Sequence, residues 1–97
     1  MLEPTFTTEA YHDLFEIVSS IASRDTQAAT RLRDEIDRTC WLLAENTGVG
    51  QSRDDIRPGI RFFPIGNYLV FYRAKPDGAQ ILRVIHGARK YGSADFR

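Results

Sequence analysis

The stretch from Arg57 to Lys90, RPGIRFFPIGNYLVFYRAKPDGAQILRVIHGARK, decides the fold. It holds three apolar runs, Ile60–Ile65, Tyr68–Ala74 and Gln80–His86, each too short for a helix and rich in β-branched and aromatic residues. Gly66-Asn67 separates the first two runs and Lys75-Pro76-Asp77-Gly78 the second two. Both linkers supply the backbone angles that antiparallel hairpins need, so the stretch predicts a three-strand meander.

Side chains alternate between the faces of a strand, which divides the meander into two sets. One set is Ile60 and Phe62; Tyr68, Val70 and Tyr72; Leu82, Val84 and His86. The other is Arg61, Phe63 and Ile65; Leu69, Phe71 and Arg73; Ile81, Arg83 and Ile85. Each strand places one arginine in the second set. An unpaired arginine in a sealed core is costly, so the first set is expected to face the core. The second then forms a greasy, cationic face suited to an acidic, partly apolar polypeptide or to nucleic acid. The alternative is that these arginines pair with carboxylates of the same chain and flank ordinary packing.

Working outward, Pro4-Thr5-Phe6 reads as a short first strand, confined by Pro4 to a sheet edge or a strand start. Thr7 is a candidate N-cap, followed by Glu9 in the first helical turn. Ala10, Leu14, Ile17, Val18 and Ile21 repeat at helical spacing, and Tyr11, Phe15 and Ala22 widen that stripe enough to touch two neighbours. Asp25 or Thr26 caps a second helix with Ala29, Leu32, Ile36, Cys40 and Leu43 on one face. Trp41 falls outside that face, where it either covers a sheet edge or meets a partner. Gly48-Val49-Gly50 ends the helix. The expected order is β-α-α-β-β-β, an α+β single domain over residues 1–97 with a helical hairpin on one face of an antiparallel sheet.

Composition agrees with one small globular domain: 97 residues, 42% hydrophobic and 27% charged. A single cysteine, Cys40, excludes an internal disulfide and fits a reducing compartment. The opening residues lack a signal-peptide pattern and no apolar run reaches spanning length, so a cytoplasmic protein without a membrane partner is expected. The zero net charge conceals a division. Residues 1–56 carry eleven acids against five bases, a net of −6, whereas 57–97 carry two against eight, a net of +6. Either the basic half has an acidic partner or the halves attract each other.

Catalytic signatures are sparse. His12, His86 and Cys40 lie at no metal-ligand spacing, Gly48-x-Gly50 lacks the lysine and helix of a phosphate loop, and no cofactor is called for. Cys40 sits on a core stripe, a poor place for a nucleophile. What remains is a set of arginines, Arg61, Arg73, Arg83 and Arg89, with His86 and Tyr91 near the end of the last strand. Arginines stabilise a pentacovalent phosphate while histidine or tyrosine moves protons, the arrangement of a metal-free ribonuclease.

The segments Arg57–Arg73 and Ile81–Arg89, above all Tyr-Leu-Val-Phe-Tyr-Arg and His-Gly-Ala-Arg, resemble the ParE toxins of ParDE toxin–antitoxin modules, within the RelE/ParE superfamily. Phe6-Thr-Thr-Glu-Ala10, Asp13-Leu14, Ile17 and Ile21-Ala22 are similar to that family's first helix. The resemblance implies the same strand–helix–helix–three-strand fold. It also implies a non-enzymatic toxin that traps DNA gyrase on cleaved DNA, neutralised by a ParD-like antitoxin in a hetero-oligomer that reaches operator DNA only through the antitoxin. Arg61, Phe63, Phe71, Arg73, Ile81, Arg83, Ile85 and Trp41 are then the expected antitoxin contacts, with the groove beside the helical hairpin, and Arg89, Lys90 and Tyr91 the expected target contacts. One alternative is a ribosome-dependent mRNA endonuclease of the RelE type using Arg61, Arg83, His86, Arg89 and Tyr91. That branch fits less well, since only Lys75 and Lys90 are present and helix-two lysines are absent. Lys90 departs from the ParE pattern, in which an acidic residue often follows His-Gly-Ala-Arg. The other alternative is an inactive homologue retaining only antitoxin binding and co-repression.

Overall fold

The three runs of the meander become the three central strands of a five-stranded sheet. In the computed structural model, which describes residues 1–96, the chain runs β1 (Glu3–Phe6), α1 (Thr8–Ala22), α2 (Thr26–Glu45), β2 (Gln51–Ser52), β3 (Ile60–Ile65), β4 (Tyr68–Lys75), β5 (Gly78–His86) and a single 3-10 turn (Ser93–Phe96). The sheet order is β1-β5-β4-β3-β2. Neighbours from β5 to β2 are antiparallel, whereas β1 joins β5 in parallel, so the sheet is mixed. The two-residue β2 was not expected, because Gln51-Ser52 carries no apolar alternation. Pro4 does lie on an edge strand.

Local chemistry sets the element ends. Thr7 caps α1 by accepting from the Ala10 amide at 3.0 Å, and Asp25 caps α2 by accepting from Ala28 at 3.0 Å. Gly66, at φ 56°, makes the tight turn that pairs Ile65 with Tyr68. Gly78, at φ 141°, lies where β1 begins its pairing with β5, and a Cβ there would run into the Glu3 backbone.

Register corrects the expected division of faces. Ile65 opposite Tyr68 places Phe63 opposite Val70 and Arg61 opposite Tyr72, and residues directly opposite share a face. Phe63, Ile65, Val70 and Tyr72 therefore pack together beneath the helices. Ile60 and Phe62 lie on the far side with Phe71. On β5 an irregularity opposite Phe71 and Tyr72 shifts the alternation by one: Phe71 faces Arg83 and Tyr72 faces Ile81, leaving Leu82 as the extra residue. Ile81 consequently points into the helix-side core, and Leu82 packs on the far side.

Both faces are covered. The helix-side core takes Ala10 from α1, Ile36, Cys40, Leu43 and Ala44 from α2, and Val70, Tyr72, Ile81 and Val84 from the sheet. The far side is sealed by the chain after β5, with Tyr91 and Phe96 packed on Phe71 and Ile85, and by Ile56. Beyond the end of β1 the edge of β5 is covered by α1 instead of a strand. Thr7 donates its hydroxyl to the Leu82 carbonyl at 2.8 Å, and the Val84 amide donates to the Asp13 carboxylate at 3.0 Å. Those side chains supply partners that the missing strand would have given.

Tyr72 ties the sheet to the loop after α2. Its ring is fully buried, its hydroxyl donates to the Thr47 carbonyl at 2.8 Å, and it accepts from the Gly50 amide at 2.8 Å. Burial raises the phenol pKa, so the neutral donor persists. A Cβ at position 50 would strike the Tyr72 ring, so Gly50 is required for this approach. Tyr72→Phe orphans both backbone groups. It is expected to cost about 1–3 kcal/mol in urea unfolding, with no change in denaturant slope.

Candidate interaction surfaces

Two apolar stripes run along α1, because positions 10, 14, 17 and 21 and positions 11, 15 and 18 lie about 100° apart around a helix. The sheet takes the first stripe, burying Ala10 and half-burying Leu14, Ile17 and Ile21. The second stripe turns outward, with Tyr11 against Phe6 of the edge strand β1. Tyr11 is 61% exposed and Phe15 72%, yet α1 packs on both α2 and the sheet, as expected of a stripe that broad. Between this stripe and α2 lies a groove of about 560 Å³ lined by Phe6, Tyr11, Leu14, Phe15, Val18 and Ile36, with Arg33 and Asp37 among the α2 residues lining it. Phe6 and Tyr11 pack at 5.2 Å between ring centroids, fixing one end. An aromatic-walled groove lined also by one base and one acid suits an amphipathic helix.

The arginine face expected from the sequence does not form. Arg61 lies on the helix side, with Nη1 donating to the Gly50 carbonyl at 2.7 Å. Arg83 makes a bidentate pair with Asp13 at 2.7 and 2.9 Å, and its side chain is only 15% exposed. That pairing pushes the guanidinium pKa upward. Arg73 is half-buried opposite Ile60, on the far side from Arg61. Of the hydrophobic residues expected beside them, Phe71 and Ile85 are buried under the segment after β5, Ile81 is buried under the helices, and Phe63 is half-buried there. Trp41 stands on the outside of α2, 38% exposed and in neither core.

Of the residues proposed for phosphodiester chemistry, Arg83 and Arg89 share Asp95, while Arg61, His86 and Tyr91 turn to other partners. His86, exposed, lies edge-on to Tyr68 at 5.2 Å, and its Nδ1 accepts from the Ala88 amide at 3.1 Å. Tyr91 packs on Phe71 and receives a hydrogen bond from Arg53 at 3.1 Å. Arg89 is held by Asp95 at 2.9 Å, and Lys90 projects into solvent. Arg61, Arg83 and His86 thus each point at a different partner. Cys40 is fully buried, and burial with the nearby Asp37 pushes its thiol up to about 12, which suits packing and not nucleophilic attack.

The charge division is only partly settled within the chain. Among the described residues, Arg83 is the one base of the second half that ion-pairs with an acid of the first. No described helix is long and apolar enough to cross a membrane.

Residues 5–91 match the family described as ParE toxin of type II toxin-antitoxin system, parDE. The chain is 38% identical over 60 residues to Toxin ParE1 of Caulobacter vibrioides, covering 62% of this chain and 60% of that one. It is 36% identical over 61 residues to Toxin ParE1 of Mycobacterium tuberculosis, covering 62% and 58%. The matched segment therefore spans about three fifths of these relatives' length. In three dimensions it superposes on a chain of the structure titled "Chromosomal ParDE TA system from P. aeruginosa" with a TM-score of 0.71 and 24% identity, over 89% of this chain and 96% of that one. With a family match over nearly its whole length, the chain belongs to the ParE toxins of type II toxin–antitoxin systems.

Proposed function

We propose that this chain is a non-enzymatic toxin that inhibits DNA gyrase by trapping its cleaved-DNA complex, and that a ParD-like antitoxin silences it. Family membership supports the target, and the dispersal of Arg61, Arg83 and His86 onto separate partners favours a binding mechanism over phosphodiester cleavage. The observation that carries the antitoxin half is the open groove over the helical hairpin, with Tyr11 and Phe15 as its exposed walls. A partner's amphipathic helix buries those rings, and its flanking charges meet Arg33 and Asp37. Arg89 and Lys90, exposed beside the end of β5, remain the candidate gyrase contacts.

The purified chain is expected to inhibit gyrase supercoiling and to accumulate cleaved DNA at near-stoichiometric ratio. Adding a cognate ParD-like antitoxin should reverse both. Normal supercoiling at a tenfold excess of toxin, together with codon-specific mRNA cuts on ribosomes, would overturn the reading.

A further inference from the structure

Among the described residues, the exposed large apolar side chains fall in three places. They are Met1 and Leu2, the groove wall at Tyr11 and Phe15, and the end of α2 at Trp41 and Leu42 with Val49 just beyond. Helical spacing accounts for the third. Ile36, Cys40 and Leu43 turn to the core, which carries Arg31, Asp34, Arg38, Trp41, Leu42 and Glu45 to the opposite side, and all six are exposed. Arg38 and Glu45, seven positions apart, line up along the helix about 5 Å to either side of the midpoint between Trp41 and Leu42. Neither has an ion-pair partner among the described residues. A shallow depression lined by Leu42, Asn46, Gly48 and Val49 continues the apolar area past the helix end.

We propose that this face docks a second copy of the chain, α2 against α2 in an antiparallel two-fold contact. The order of its side chains specifies that occupant. A two-fold axis at the midpoint between positions 41 and 42 sets indole on indole and leucine on leucine, and brings Arg38 opposite the partner's Glu45 at both ends. A base on one side of an apolar pair and an acid equally far on the other is self-complementary, which is what an isologous interface requires. A polyanion or an acidic segment fits less well, because Asp34 and Glu45 repel it as much as Arg31 and Arg38 attract it. The zero net charge of the chain adds no long-range repulsion between copies. One helix face makes a small interface, so the pair is weak and reversible. The hairpin groove uses another side of α2, through Arg33, Ile36 and Asp37, so this contact rests neither on the groove nor on the gyrase reading.

Sedimentation equilibrium of the full chain is the test. Apparent mass is expected to climb from 11.1 kDa toward twice that value between about 1 µM and about 500 µM. Emission of Trp41, the sole tryptophan, should shift to the blue over the same range. Arg38→Glu and Glu45→Arg should each weaken self-association by about tenfold or more, since each sets like charges together at both ends. An equimolar mixture of the two variants should associate as tightly as wild type, because only the mixed pair matches every charge. Phe15→Ala should leave the association unchanged. A wild type that stays monomeric throughout, or a mixture no tighter than its components, would overturn the proposal. So would loss of association on Phe15→Ala, which places the contact in the groove. A monomeric wild type whose affinity for a cognate ParD-like antitoxin drops on Trp41→Ala would give the face to that partner instead. Should a charge variant fail to fold, the wild-type emission decides, and a spectrum independent of concentration sinks the contact.

Discussion

Phe15→Ala is expected to weaken the chain's affinity for the proposed ParD-like antitoxin by about 30-fold or more, while its unfolding free energy moves by no more than about 0.5 kcal/mol. The two halves of that expectation have one cause. Phe15 is 72% exposed in the free chain, so removing its ring takes little from the core. In a complex that fills the groove, the same ring becomes a central aromatic anchor, and truncating such an anchor costs about 2 kcal/mol or more. Tyr11→Ala should act in the same direction. The double variant should fall short of the sum, because both rings wall one groove and lose shared contacts. Titration calorimetry with a cognate ParD-like antitoxin reads the affinity, and urea melts read the stability.

Ile36→Ala supplies the contrast. Ile36 lines the same groove but is 2% exposed and belongs to the helix-side core, so its loss should cost about 2–5 kcal/mol of stability. A groove that merely reflected loose packing would give all three substitutions the same modest melting shift and an unchanged dissociation constant. That pattern would remove the hairpin from the antitoxin interface.

The hairpins, the helices and their caps were legible because their signals are local: turn residues between apolar runs, and Thr7 and Asp25 ahead of helical periodicity. The face assignment failed for a reason also present in the sequence. A two-residue turn at Gly66-Asn67 forces Ile65 and Tyr68 onto one side, which carries Arg61 to the helices. The shift at Leu82 was not legible, since nothing in Gln80–Arg83 marks an extra residue. Nor was the covering of the far side, because Phe96 reaches Phe71 from 25 positions away and no periodicity records such a contact. The exposed stripe on α1 was visible in the spacing of Tyr11, Phe15 and Val18. Its exposure was not, because that depends on where the sheet ends.

Arg83→Ala and Asp13→Ala should each destabilise the fold by about 2–4 kcal/mol, a large share of the roughly 5–15 kcal/mol that holds a domain together. The pair joins positions 70 apart, links the acidic half to the basic half, and leaves only 15% and 12% of the two side chains exposed. Losing one partner strands a poorly solvated charge, while losing both removes that penalty, so the double alanine variant should be less destabilised than the two singles combined. It will still fall short of wild type, because Asp13 also accepts from the Val84 amide, which then loses that partner at the edge of β5 where no strand pairs. Pairing raises the guanidinium pKa above its ordinary value, so its stabilising contribution is complete below that value and fades only at alkalinity beyond any practical range. Stability of wild type relative to Arg83→Ala should therefore stay flat from pH 7 to 10. A difference under about 1 kcal/mol, or full additivity in the cycle, would reduce this bridge to an ordinary solvated contact and leave the edge of β5 without its main support.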